Sequence, residues 1–115
     1  MDESILITIR EALGVPAEYD GFDTEIITAI NNSLFSLTQL GVGVETGYSI
    51  TGIDETWDGL FTGLTNIEAV KSYVKLKSRL EFDPPPTAHM LTAVKEQIKE
   101  LEWRLFIFVD PDVVV

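Results

Sequence analysis

Apolar positions along this chain fall into helical stripes separated by short breaks. The clearest pattern occupies residues 65–108. Ile67, Val70, Val74 and the aliphatic stem of Lys77 follow one line, and Tyr73, Leu76 and Leu80 widen it. Leu91, Val94, Ile98, Leu101 and Leu105 then recur at alternating steps of three and four, a heptad-like seam. Between the two stripes stand Pro84, Pro85 and Pro86. Proline has no N–H to donate and pushes the preceding residue out of the α region, so this run ends the first helix. Thr65-Asn66-Ile67-Glu68 reads as a capping box at its start, and Thr87 as the cap of the second helix. At 1.5 Å per residue each helix is about 25 Å long, which predicts an antiparallel hairpin of matched lengths.

The same reading extends upstream. Residues 4–13 form a short helix with Ile5, Ile9, Ala12 and Leu13 on one face, broadened by Leu6 and Ile7. Arg10 and Glu11 are assigned to water. Gly14 suits the residue after a helix end, and Pro16 follows as a stop. Tyr19-Asp20-Gly21-Phe22 is a turn. A long helix then runs to about Leu40, with Ile26, Ile27, Ile30, Leu34, Leu37 and Leu40 as its seam. Asn31, Asn32, Ser33, Ser36 and Gln39 take the other side. Asp23 or a neighbour caps this helix, Glu25 suits its positive end, and Phe22 is placed to staple onto Ile26 or Ile27.

Residues 41–54 have a different texture. Glycines stand at 41, 43, 47 and 52, and Val42, Val44, Tyr48 and Ile50 alternate as in short strands. This predicts a long excursion, with a loose β-hairpin as one form of it, and so long a loop is usually functional or flexible. Trp57, Leu60 and Phe61 follow in a helical turn or two that plugs the bundle. At the far end Phe106-Ile107-Phe108-Val109 is apolar, Asp110-Pro111-Asp112 breaks it, and Val113-Val114-Val115 closes the chain. Two readings stay open for 106–115: an extended arm packing on a neighbouring copy, or a frayed end. The expected fold is one all-α domain over residues 1–115. It is a small bundle of four to five helices, with a Gly-rich loop between the second and third and an extended C-terminal arm.

Composition narrows the classes. A length of 115 residues supports one modest core, and 45% hydrophobic content indicates a folded chain. With no cysteine there is no disulfide framework and no thiolate metal site. Met1-Asp2-Glu3-Ser4 is acidic, unlike the basic start of a signal peptide, and no apolar run approaches the ~20 residues that span a bilayer. A soluble, intracellular protein is expected. The net charge of −11 is uneven: residues 1–60 hold 11 acidic and one basic side chain, residues 61–115 hold 8 and 7. The acidic half would be repelled by nucleic acid. It serves either solubility, or a surface that sits near DNA without gripping it or docks on a basic partner.

Candidate chemistry is sparse. His89, the single histidine, has no nucleophile at a readable spacing and falls at a positive helix end that disfavours its charged form. Asp20, Asp23 and Glu25, and Asp54, Glu55 and Asp58, are carboxylate clusters that helix-start capping explains without a metal. Gly41-x-Gly43-x-x-x-Gly47 lacks both the dinucleotide fingerprint and a phosphate-loop lysine. No catalytic, cofactor-binding or metal residue is therefore expected. Lys71, Lys75 and Arg79 step by four along one helix face with Lys77 beside them. They are a solvated face, a row for DNA phosphates, or the complement of the acidic half of an adjacent copy. The candidate contact residues are these three together with Val42, Val44, Tyr48 and Ile50 of the loop and Phe106, Phe108 and Val113 of the tail.

The segment Val74-Lys75-Leu76-Lys77-Ser78-Arg79-Leu80-Glu81-Phe82-Asp83-Pro84-Pro85 resembles the small head–tail connector proteins of tailed bacteriophages. So does Ala93-Val94-Lys95-Glu96-Gln97-Ile98-Lys99-Glu100-Leu101-Glu102-Trp103-Arg104-Leu105, and upstream Ile50-Thr51-Gly52 with Glu55-Thr56-Trp57 is similar to phage and prophage members. The resemblance covers most of residues 4–106, and its motifs are structural. It implies a helical adaptor that forms a ring, twelvefold in the particle, beneath the portal protein. There it would extend the DNA channel and dock a tail-completion or stopper protein. Genomic DNA would pass through the lumen without specific binding, and no enzyme activity or cofactor is implied. The place of action would be the virion, and the host cytoplasm during assembly. Two other classes remain: a helical DNA-binding regulator using Lys71, Lys75, Lys77 and Arg79, and, last, a small hydrolase.

Overall fold

A computed structural model describes residues 3–16, 18–42, 47–62 and 66–109, with the side chains of 107–109 excepted. Five helices follow in chain order: α1 (Ile5–Ala12), α2 (Asp23–Gln39), α3 (Trp57–Leu60), α4 (Ile67–Phe82) and α5 (Ala88–Val109). The all-α bundle expected from the hydrophobic pattern is what forms. No strand occurs among the described residues. The one sheet-like pairing is an antiparallel bridge between Ser4 and Thr56. Val44, with Gly43, Glu45 and Thr46, lies outside the described residues, so the hairpin expectation bears only on residues 47–54, which are irregular.

α4 is the centre, packed against α2, α5 and α1. Val70, Tyr73 and Val74 are fully buried there. They meet Ile26, Ile30, Leu34 and Leu37 of α2, Ile5, Leu6 and Ile9 of α1, and Ile98 and Leu105 of α5 in one core cluster. Each such aliphatic side chain contributes about 1.5–3 kcal/mol when buried. Trp57, 1% exposed, closes the cluster, and its indole N–H donates to the Thr8 hydroxyl at 3.2 Å.

The caps follow the local sequence. Ser4 accepts from the Ile7 N–H at α1, Thr56 from Gly59 at α3, and Thr87 from Met90 at α5. Gly14 and Gly41 take the left-handed conformation after α1 and α2, at φ 79° and 86°, where a Cβ would be strained. α4 differs from the capping-box expectation. Asn66 occupies its N-cap position without a side-chain cap bond, Glu68 sits 3.9 Å from Lys71, and Thr65 lies outside the described residues.

Five further expectations are corrected by packing. Arg10 is not in water: it is 5% exposed and forks onto Asp23, with Nε–Oδ1 2.9 Å and Nη2–Oδ2 2.5 Å. Asp23 is therefore the partner of α1, not the cap of α2. Its hydrogen bonds and charge hold the Arg10 guanidinium above its ordinary pKa, although burial pulls the other way. Ser33 is buried with the apolar seam, because its hydroxyl is satisfied by the Ala29 carbonyl at 3.0 Å. Finally, Phe106 to Val109 continue α5 as helix, so an extended arm cannot begin at 106. With 22 residues against 16, α5 outruns α4 by about 9 Å, and the hairpin is not matched in length.

The Arg10–Asp23 pair makes a double prediction. Arg10→Ala strands the Asp23 carboxylate and should cost about 3 kcal/mol in urea unfolding. Arg10→Met with Asp23→Leu should unfold within about 1 kcal/mol of the parent chain. An equal loss in both variants would show that shape, not charge, is what the site requires.

Candidate interaction surfaces

The loop after α2 is fastened at two points. Asn31, on α2, treats Ile50 as a strand neighbour would. Its Oδ1 accepts from the Ile50 N–H at 2.8 Å, and its Nδ2 donates to the Ile50 carbonyl at 3.1 Å. Glu55 then closes the next turn, accepting from the Thr51 N–H and hydroxyl, each at 2.9 Å, and from the Gly52 N–H at 3.3 Å. Burial disfavours the Glu55 carboxylate, yet these hydrogen bonds outweigh it and leave its pKa below the ordinary value. The result is a bracket that holds Ile53 outward, 51% exposed.

Val42 and Ile50, two of the candidate contact residues, turn inward and are buried at 1% and 2%. Tyr48 is half-buried against Phe61, ring centroids 4.5 Å apart. In this conformation the three side chains anchor the loop to the bundle, and the outward surface of the bracket is Thr51, Ile53 and Asp54. Strand-like alternation had singled out these residues, and the same alternation explains why they are buried. Val44 and Val113 lie outside the described residues, and the side chain of Phe108 is likewise undescribed.

The basic row divides in two. Lys71 is engaged within the chain: its Nζ lies 3.3 Å from Glu3 and 5.9 Å from the centre of the Trp57 ring. Lys77 lies over Tyr73 at 5.8 Å. Lys75 and Arg79 are exposed and make no ion pair among the described residues.

Sequence reasoning had not singled out two other surfaces. The first lies beside the start of α2, where Phe22, Thr24, Glu25, Thr28, Glu81 and Phe82 line a groove of about 570 Å³. Phe22 meets Phe82 edge to face at 5.6 Å and Tyr19 at 5.4 Å. The second is the distal part of α5, where Trp103 and Phe106 stack with centroids 6.2 Å apart and are 43% and 36% exposed. Phe106 had been read as tail, and its place on a helix follows only from the continuation of α5. Between α4 and α5 the Tyr73 hydroxyl donates to Glu102 at 2.7 Å, and burial together with that carboxylate raises the phenol pKa. His89 is exposed on the first turn of α5. Among the described residues no group of three or more His, Asp or Glu side chains is arranged to hold a metal ion, and no helix is long and apolar enough to cross a membrane.

These surfaces define an acidic, all-α protein whose exposed features are a bracketed loop, a split basic row and two aromatic patches. The chain matches the family model described as phage connector protein over residues 5–112, and it belongs to that family. No curated protein and no solved structure matches it.

The bracket can be tested at both anchors. Asn31→Ala should speed amide exchange at Ile50 while helical circular dichroism is kept, with a cost of about 1–2 kcal/mol. Glu55 has a lowered folded-state pKa, so its stabilisation is full above the ordinary value and is lost as pH falls through the lowered one. The Thr51 and Gly52 amide resonances should therefore titrate with a midpoint below 4.5, and this titration should vanish in Glu55→Gln. A midpoint above 4.5 would mean that burial, not the hydrogen bonds, governs the carboxyl.

Proposed function

We propose that this chain is a structural head–tail adaptor of a tailed bacteriophage, acting in the virion after assembly in the host cytoplasm. Copies form a ring beneath the portal, extend the channel through which genomic DNA passes, and present a docking surface to a tail-completion or stopper protein. Membership of the phage connector family over residues 5–112 is the observation that carries this reading. The surface chemistry supports it. With a net charge of −11 the protein has little tendency to hold DNA passing close by. Lys75 and Arg79, exposed and unpaired, can meet an acidic surface of another subunit. Ile53, on its bracket, offers a preformed apolar contact that costs little ordering on binding.

A DNA-binding regulator would need Lys71, Lys75, Lys77 and Arg79 as one phosphate-facing row. Lys71 is already committed to Glu3 and Trp57, and Lys77 to Tyr73, which leaves two free cations. The adaptor is the better reading.

The test is mass in solution by light scattering, with and without purified portal. A closed oligomer that forms alone or on the portal is the expected result. A monomer indifferent to the portal, with salt-sensitive DNA binding near physiological ionic strength, would replace the adaptor with the regulator.

A further inference from the structure

α2 has an unusual outer face. From Ile26 to Leu40 it carries no charged side chain, in a chain with 19 acidic and 8 basic residues. Thr24, Thr28, Phe35 and Gln39 are exposed and share one sector of the helix. Phe35 is 62% exposed, the most exposed of the large hydrophobic side chains among the described residues. Thr28 donates its hydroxyl to the Thr24 carbonyl at 2.9 Å, so it makes no demand on a partner. This sector runs into the groove beside Phe22 and Phe82, giving a strip of about 20 Å with Phe22 and Phe35 at its ends and Thr24 and Thr28 between them. Its charges, Glu25 and Glu81, stand at the groove itself, and Glu81 accepts from the Asn32 amide at 2.9 and 3.1 Å, a neutral partner that leaves its charge uncompensated. Exposed aromatic anchors along a helix face without charge, with two carboxylates beside one of them, suit a protein interface.

α5 supplies the opposite pattern. Lys95, Lys99, Trp103 and Phe106 follow one another along one side of the helix, all exposed. Neither lysine makes an ion pair among the described residues. The nearby acids are largely used: Glu100 pairs with Arg104 at 2.6 Å and Glu102 receives the Tyr73 hydroxyl, leaving Glu96 at the edge of the strip. α5 therefore offers two stacked aromatic rings beside two free cations.

We propose that the α2 groove of one copy receives the Trp103–Phe106 face of α5 from a second copy, with Lys95 and Lys99 set against Glu25 and Glu81. Charge selects the occupant. Two copies at −11 repel each other over most of their surfaces, and here one copy brings carboxylates and the other free lysines. A copy cannot fill its own groove. The groove lies at the Phe82 end of α4, and Trp103 lies 15 residues along α5 from Ala88, about 22 Å toward the other end of the bundle. The contact is thus head to tail between different surfaces, the kind that generates rings. It rests on the assembly reading above and assigns it an interface.

The absence of cysteine makes the test direct. Thr28→Cys and Lys99→Cys are prepared as separate chains and treated with a short bismaleimide, alone and mixed, as free concentrated protein and on the portal. Covalent dimers are expected in the mixture and not in either variant alone. In a second experiment Glu25→Lys with Glu81→Lys should weaken self-association at least tenfold, and adding Lys95→Glu with Lys99→Glu should restore it, with circular dichroism confirming that each chain is folded. No cross-link in the mixture, equal yields in single variants, or failure of the charge swap to rescue overturns the contact. Rings that form on the portal without the 28–99 cross-link sink this contact alone and leave the adaptor standing. A 28–99 cross-link in protein that never engages the portal does the reverse.

Discussion

The structure depends on burying one helix on two sides. α4 has to place Val70, Tyr73 and Val74 out of water while still carrying lysines and an arginine along its outer edge. Burial of Tyr73 is the demanding part. Its ring fills the space between helices, but its hydroxyl must find a partner in a medium where an unpaired polar group costs about 1–3 kcal/mol. Glu102 supplies that partner from α5. The bond does more than satisfy a hydroxyl. It joins the Tyr73 turn of α4 to the Glu102 turn of α5, alongside the core contacts of Ile98 and Leu105.

The other polar contacts act in the same way, each joining an element that has too little apolar surface to hold itself. α1 has eight residues, too few for a stable isolated helix, and Arg10 ties it to the first residue of α2. The loop has no ladder of its own, and Asn31 and Glu55 take the place of one. α3 is a single turn, held by Trp57. Arg10, Asn31, Glu55 and Tyr73 thus each tie one segment to another, while the buried Ser33 hydroxyl bonds within its own helix.

Much of this was legible along the chain. The helices, the glycine stops at Gly14 and Gly41 and the cap at Thr87 follow from residues within four positions of one another, where spacing alone decides, and the caps at Ser4 and Thr56 were not singled out. The family was legible as well, from the segments 74–85 and 93–105 with the stretch 50–57 upstream, and the family match covers residues 5–112. Less legible was the fate of residues whose role depends on distant partners. Arg10 reads as a solvent residue until Asp23, thirteen positions away, is brought beside it. Val42, Tyr48 and Ile50 read as contact residues of a strand-like loop and are in fact turned inward, since period-two alternation marks two sides without saying which is inside. Phe106 to Val109 read as an arm because the proline at 111 and the β-branched residues after it suggested extended chain. The helical period of α5 had not run out before them.

The sequence by itself determined the fold class, the number of long helices, the breaks after α1, α2 and α4, and the family, all of which rest on local pattern. The tertiary structure decided which polar residues are structural, which side of the loop faces out, and how far α5 extends. It also revealed the charge-free face of α2 and the lysine–aromatic face of α5. The physical reason is common to all of these. Burial and pairing energies depend on neighbours remote in sequence, and a pattern of period 3.6 or 2 fixes an element's faces but not what they meet.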